Sequence, residues 1–235
     1  MKKVIAKDRS HLRQLIDEEI EKQGLDANLN HIDVSNVRNM SCMFEHSEFN
    51  GNISKWDVSN VKRMDFMFYD SAFNGNISKW DVSNVESMDY MFMESKFNKA
   101  ISKWDVSNVK NMSGMFAYSK FNKDISKCDV SNVKNMSYMF EHSRFNGNIS
   151  KWDVSNVKRM DYMFEGTKDL IYVESCGENK RTIYLNKIDN TIVHIGCFHG
   201  TKDEAIEAIS KKYSGKDKKE YINKIEELFM KRKNL

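Results

Sequence analysis

The hydrophobic and polar residues of this chain repeat with a period of 24 positions. The string Asp-Val-Ser-Asn-Val marks each repeat, and its apolar neighbours fall in the same columns every time. The string begins at Asp33, Asp57, Asp81, Asp105, Asp129 and Asp153. A unit of 24 residues is too short to enclose a core of its own, so the units are expected to stack and share one continuous core.

Two shorter patterns lie within each unit. In the second unit, Trp56 and Val58 alternate with the polar Asp57, which is typical of a short strand. The apolar positions of residues 61–68 then follow at spacings close to a helical turn, and Ser59 or Asn60 can cap such a turn. Each coil is therefore predicted to contain one short strand, paired in parallel with its neighbours, and one or two helical turns.

The unit FNxxISKWDVSNVxxMxxMF, with variants such as FNKDIS and MSGMF, resembles the BspA-like leucine-rich repeats of many bacterial and some viral and protist proteins. The resemblance covers residues 25–166. It implies an α/β repeat fold, a leucine-rich-repeat-like right-handed solenoid of six coils, and often a role in adhesion or protein binding. Adhesins of this family usually have an export signal or an anchor. The apolar run of residues 4–6 is too short for either, so a cytoplasmic location is expected.

Different patterns flank the repeats, because a stack of coils exposes an apolar cross-section at each end. Residues 1–24 are predicted to form an amino-terminal cap helix, with Leu12, Leu15, Ile16 and Ile20 on one face. The six coils occupy residues 25–167. Residues 168–235 are predicted to form a small α+β capping module.

The capping module shows three strand patterns, at residues 170–174, 182–185 and 191–198, followed by two helix patterns. A capping box of Thr201 and Glu204 begins the first helix, which Gly215 is expected to end. The second helix is predicted at residues 219–230. The segment from residue 190 to residue 213 resembles carboxy-terminal modules of bacteriophage and prophage proteins, which implies a mobile-element origin.

Charge and cysteine spacing narrow the choice of partner. The chain carries 37 Lys and Arg against 34 Asp and Glu, a net charge of +3, which does not favour a nucleic-acid partner. No apolar run reaches the roughly 18 to 20 residues of a membrane-spanning helix, so a membrane is not expected as a partner. The cysteines Cys42, Cys128, Cys176 and Cys197 lack ligand-like spacing, so neither a zinc site nor a disulfide framework is expected.

The repeated polar columns have two interpretations. The Asp57 column could bind cations as a ladder, or each Asp could accept local hydrogen bonds in an Asx turn. The second is favoured, because a calcium site needs several oxygen ligands that converge. Amides of the Asn60 column are expected to bond one another along the coils, and the Trp56 column is expected to be core. No catalytic or nucleotide-binding motif occurs, so no catalytic residue, metal or cofactor is expected.

Two variable columns form the candidate binding surface. The columns that contain residues 66 and 69 lie off the apolar face and are expected to be partly exposed. Aromatic residues and methionine at regular spacing are typical of surfaces that bind proteins. The alternative, that these rings only shield the edges of the helical turns, fits the pattern equally well. The candidate partner-binding residues are Phe66, Tyr69, Tyr90, Met93, Tyr118, Tyr138 and Tyr162.

The sequence therefore predicts a non-enzymatic scaffold whose partner is another protein. A narrower alternative is a phage- or prophage-derived inhibitor that occludes the surface of a host enzyme or defence complex. A third alternative, from a different class, is an enzyme whose active site lies in residues 168–235.

Overall fold

The computed structural model describes residues 3–147, 149, 152–167, 170–176, 181–186, 193–195 and 198–233. Its regular elements lie at the two ends of the chain. In chain order they are β1 (Val4–Ile5), α1 (Arg9–Gln23), β2 (Ile32–Asp33), β3 (Leu170–Cys176), β4 (Arg181–Asn186), β5 (Val193–Ile195), β6 (Phe198–Gly200), α2 (Lys202–Lys212) and α3 (Gly215–Lys233). None of the helices in these ranges is long and apolar enough to cross a membrane.

Successive repeats lie side by side and pair in parallel through one residue each. The pairing joins Asn39, Arg63, Ser87, Asn111, Asn135 and Arg159, which are 24 residues apart. Around it, the Lys62 N–H donates to the Arg38 carbonyl of the preceding coil at 2.8 Å, and the Met64 N–H donates to the Ser87 carbonyl of the following coil at 3.0 Å. Each inner coil is therefore hydrogen-bonded to both of its neighbours.

The turn that follows this pairing residue differs from the predicted helical turn. The N–H groups of Phe66 and Phe68 donate to carbonyls of the next coil at 2.8 and 2.9 Å, whereas those of Met67 and Tyr69 bond back by three residues. Phe66 and Asp70 have positive φ angles of 54° and 45°, which a helix does not allow. Consecutive β-turns have a period close to that of a helix, which explains why the apolar spacing predicted the wrong element here.

The parallel pairing also lies at a different place from the predicted strand. Residues 56–58 have no strand structure. The Trp56 N–H instead closes a tight turn on the Ile53 carbonyl at 3.1 Å. The alternation of apolar and polar residues at this point arises because Trp56 and Val58 are buried on either side of an Asx turn at Asp57.

One hydrophobic cluster extends from Ala6 to Phe164 through all of the repeats. Its centre is a column of parallel phenylalanine rings with centroids 5.5 Å apart between Phe44 and Phe68, and 5.7 Å apart between Phe140 and Phe164. The shared core and the coil-to-coil hydrogen bonds support our proposal that the repeats form a six-coil solenoid of the leucine-rich-repeat-like kind.

Helix α1 covers the first coil, as the apolar pattern predicts. Asp8 caps the helix by accepting the His11 N–H at 2.8 Å. Leu12 and Ile16 are buried, and Leu15 and Ile20 pack against the same core. Strand β1, which the sequence analysis missed, pairs in parallel with β2 and so extends the stack by one more strand.

Two arginines of α1 complete the hydrogen bonding of the first coil. In later coils, the carbonyls of the turn accept N–H groups from the preceding coil, and the first coil has no predecessor. Arg9 donates to the Ser41 carbonyl at 2.9 and 2.6 Å. Arg13 donates to the Met43 carbonyl at 3.0 Å. The helix therefore satisfies polar groups as well as covering apolar ones.

Beyond the repeats, strands β3 to β6 form an antiparallel sheet in that order. The third predicted strand, residues 191–198, is replaced by the two short strands β5 and β6, and residues 196 and 197 lie outside the described residues. The predicted turns at residues 177–179 and 189–190 also lie outside them. The Thr201 and Glu204 capping box is confirmed. Gly215 begins α3 instead of ending α2, whose last cap residue is Tyr213.

Candidate protein-binding surface

The candidate residues come together along one side of the stacked turns. Phe66, Tyr90, Tyr138 and Tyr162 occupy the same column, with φ angles of 54°, 52°, 61° and 57°. Each stands at the third position of a β-turn, where a positive φ is required. Because the turn projects this side chain away from the buried Met and Phe columns, the ring lies on the surface. We call the seven candidate residues the aromatic strip.

Ring stacking orders the aromatic strip. The rings of Phe66 and Tyr90 are 5.0 Å apart, and those of Tyr138 and Tyr162 are 5.4 Å apart. Gly114 separates the two pairs, and a Cβ atom added there would lie only 2.2 Å from the Tyr90 ring. The Tyr90 ring therefore covers the backbone of the next coil, and the strip continues across the position that lacks a side chain.

The remaining members lie in two neighbouring columns. Tyr69 contacts the edge of Phe66 and also His46, with centroid distances of 5.9 and 4.9 Å. Tyr118 lies in the column of Asp70, not in that of Phe66 or Tyr69. Its ring stacks on His142 at 4.9 Å.

Exposure varies along the strip. Tyr118 is 46% exposed and Tyr162 is 44% exposed. Phe66, Tyr69, Tyr90, Met93 and Tyr138 are half-buried. The alternative interpretation was that the rings only shield the edges of helical turns. The rings do cover backbone, which here forms β-turns, but they also keep part of their surface open to solvent.

Carboxylates that the sequence analysis did not single out lie beside the rings. The Tyr118 hydroxyl donates to Glu141 at 3.2 Å. Burial, and after it the nearby carboxylates, raises the pKa of Tyr69 and of Tyr118. Burial also raises the pKa of Tyr138. These phenols are therefore protonated at neutral pH and available as hydrogen-bond donors.

The aspartate column makes the contacts of an Asx turn. Asp57 accepts the backbone N–H of Ser59 at 3.1 Å and its hydroxyl at 2.6 Å, and later coils repeat both kinds of bond. Hydrogen bonds from Ser35, and then from Lys3, lower the pKa of Asp33 to about 2. Within the described part of the chain, no three His, Cys, Asp or Glu side chains are grouped so that they could hold a metal ion.

The asparagine column differs from its prediction. The Asn60 amide donates to the Ser35 carbonyl of the preceding coil at 2.9 Å and makes no bond to a stacked amide. Side-chain amides do bridge the coils in another column, where Asn50 accepts the backbone N–H of Asn74 at 2.8 Å. Peptide groups satisfy the amide better than a second amide would, because the coil spacing brings a carbonyl within reach at every repeat.

Two buried features were also missed. Asp65 is buried and accepts bonds from Arg63 and Ser41, whereas the buried Oδ1 atom of Asp89 has no hydrogen-bond partner among the described residues. Burial, and then the charge of Asp65, raises the pKa of Asp89 to about 6. Asp65 and Asp89 are 24 residues apart, and it is the stacking of adjacent coils that brings their carboxylates together.

Cys128 interrupts the tryptophan column, which is buried as expected. An apolar cavity of about 20 Å³ lies beside it, between Trp104 and Trp152. Burial raises the pKa of the Cys128 thiol to about 11, so the thiol is protonated at neutral pH and is a poor nucleophile. Nothing is described for Cys197, which lies outside the described residues.

The family model described as "Mycoplasma protein of unknown function, DUF285" matches the chain twice, over residues 12–118 and 72–173. The two matches overlap and together include α1 from residue 12 onward, all six repeats and the beginning of β3. No curated protein matches the chain, and no solved structure matches it.

Proposed function

The chain belongs to the DUF285 repeat family, a family of the general BspA-like kind, and we propose that it is a non-catalytic scaffold that binds another protein through the aromatic strip. The observation that carries the proposal is the continuity of the strip. Rings from five successive coils lie on one surface, and ring contacts hold most of them in place.

Such rings suit protein binding for two physical reasons. An aromatic side chain offers a large contact area at little cost in conformational entropy, and the stacked neighbours of Tyr90 and Tyr138 restrict these rings before a partner arrives. The coils beneath them are joined by backbone hydrogen bonds on both sides, so binding need not order the surface.

The strip is also separable from the core. The fully buried rings belong to the columns of Phe68 and Phe73, which point to the other side of the turn. Changing a strip residue should therefore alter binding with little effect on folding. An inhibitor that occludes a host enzyme or defence complex would be a narrower form of the same proposal and would use the same surface. No observation on the described residues favours an enzymatic function.

Capture of partners from a lysate of the encoding organism tests the proposal. We expect Tyr90→Ala combined with Tyr138→Ala to weaken partner binding by at least about 2 kcal/mol, or roughly thirtyfold, at an almost unchanged melting temperature. The matched control is Lys79→Ala with Lys127→Ala, which truncates exposed residues of the same two-coil spacing elsewhere on the surface. Undiminished capture by the tyrosine variant would contradict the proposal.

A further inference from the structure

The turn segments that carry the aromatic strip contain carboxylates and no lysine or arginine. These segments are residues 41–46, 65–70, 89–94, 113–118, 137–142 and 161–166. Their carboxylates are Glu45, Asp65, Asp70, Asp89, Glu94, Glu141, Asp161 and Glu165. The chain has 37 lysine and arginine residues, so the absence of both from these turn segments distinguishes them from the other columns of the repeats.

Several of these carboxylates carry their charge beside the rings without a basic partner. Arg63 neutralises Asp65 at 2.8 Å, and Arg159 lies 3.6 Å from Asp161. Glu94, Glu141 and Glu165, in contrast, form no ion pair with lysine or arginine within the ranges that the structure describes. Glu94 is exposed, and the other two are partly exposed.

Basic residues are concentrated in other columns. Lys55, Lys79, Lys103 and Lys127 form one exposed column, and Lys62, Lys110, Lys134 and Lys158 belong to another. Where a carboxylate occurs in the second column, it is already paired: Glu86 lies 3.1 Å from Lys62 and 2.9 Å from Lys110. The chain thus separates its charges by column, although its net charge is only +3.

We propose that the aromatic strip receives a segment of the partner protein that is rich in arginine and lysine. This inference rests on the proposed function and names the chemistry of its partner. A guanidinium or ammonium group is attracted to the face of a tyrosine ring within about 6 Å. Glu94, Glu141 and Glu165 can then pair with the same cations at the edge of the rings. A neutral or acidic segment would leave these carboxylates desolvated and unpaired.

The probe that tests the proposal is a short fluorescent peptide of alternating arginine and glycine, compared with one in which glutamate replaces arginine. We expect the basic peptide to bind the full chain and the acidic peptide not to bind. Between about 20 and 300 mM salt, the affinity should fall by at least about tenfold, because partly exposed ion pairs are screened. Fluorescence anisotropy measures both quantities.

Charge-matched variants locate the site. Glu94→Gln, Glu141→Gln and Glu165→Gln together should weaken binding of the basic peptide by at least about tenfold. Glu18→Gln, Glu21→Gln and Glu207→Gln change the net charge equally but lie on α1 and α2, and should have less than about a twofold effect. Tyr90→Leu with Tyr138→Leu keeps apolar bulk and removes the ring faces, and should weaken binding by roughly fivefold. Circular dichroism confirms that each variant is folded.

Three results would overturn the inference: equal weakening by both glutamine triples, equal binding of the acidic peptide, or self-association at low salt that the strip triple abolishes. The last result would assign the surface to the lysine columns of a second copy. Failure of the proposed function is a separate outcome. If a captured partner depends on Tyr90 and Tyr138 but neither on the three glutamates nor on competition by the basic peptide, the scaffold proposal stands and the basic-partner inference fails.

Discussion

Replacing Cys128 with tryptophan should stabilise the protein. In four coils, a tryptophan indole N–H donates to a carbonyl of the preceding coil; for example, Trp104 donates to Ile77 at 3.1 Å and Trp152 to Ile125 at 3.0 Å. The carbonyl that corresponds to Cys128 is that of Ile101. The Cys128 backbone makes the same turn as Trp104, with N–H to carbonyl distances of 3.1 and 3.0 Å, so the larger side chain should fit without a change of backbone.

The magnitude follows from area and cavity volume. An indole buries on the order of 150 to 250 Å². The part in excess of a cysteine is then worth about 2 to 4 kcal/mol at roughly 25 cal/mol per Å². Filling the cavity of about 20 Å³ adds about 0.5 kcal/mol. Side-chain ordering and imperfect packing oppose these gains by about 1 to 2 kcal/mol. We expect a net stabilisation of about 2 kcal/mol.

Urea unfolding of the wild-type chain and of Cys128→Trp measures this difference, with circular dichroism as the signal and an unchanged slope as the test of two-state behaviour. For a chain of this size, the melting temperature should rise by about 4 to 8 °C. Cys128→Ala is the matched control and should destabilise slightly, because it enlarges the cavity. A lower urea midpoint for Cys128→Trp would refute the argument that this coil has the same geometry as its neighbours.

Three further predictions concern the carboxylate pair, the cap and the glycine of the strip. The pKa of Asp89 in the folded protein, about 6, lies above its ordinary value of 3.8, so the stability that the protonated carboxyl contributes is lost as pH rises from about 4 to 6. Asp89→Asn should therefore raise the free energy of unfolding at pH 8 by roughly 1 to 2 kcal/mol and remove this pH dependence. Urea unfolding at about pH 4 and at about pH 8 measures both effects. Arg9→Ala with Arg13→Ala should destabilise by about 1 to 3 kcal/mol, because the Ser41 and Met43 carbonyls lose their donors; calorimetry that shows no change would mean that water replaces them at no cost. Gly114→Ala places a Cβ atom 2.2 Å from the Tyr90 ring and strains a positive φ of 57°, so it should displace that ring and weaken partner binding. Gly215→Ala serves as the control, because it strains a positive φ of 58° at the start of α3, away from the strip, where a Cβ atom meets nothing within 4 Å.

The 24-residue repeat determines the columns, and the columns were sufficient to predict the shared core and the cap helix. The burial of Leu12 and Ile16 follows from their helical spacing alone. The local backbone was not predictable in the same way. Residues 61–68 have apolar spacings that fit both a helix and a series of β-turns, and the choice depends on where the N–H groups of Phe66 and Phe68 find acceptors. Those acceptors belong to the next coil, so no pattern within one unit can reveal them.

The same reasoning explains why the carboxylates of the surface were overlooked. Glu94, Glu141 and Glu165 are far apart in the sequence, and the net charge of +3 conceals their grouping. Stacking places residues 24 positions apart next to one another, so charge in this protein has to be counted by column. Counted in this way, the turn columns that carry Tyr90 and Tyr138 contain acids and no lysine or arginine, whereas the lysines of the repeats lie in other columns. Packing constrains the residues of the core columns, so it is the surface columns that can differ between coils and determine which partner binds. It is in those columns that rings and carboxylates occur together.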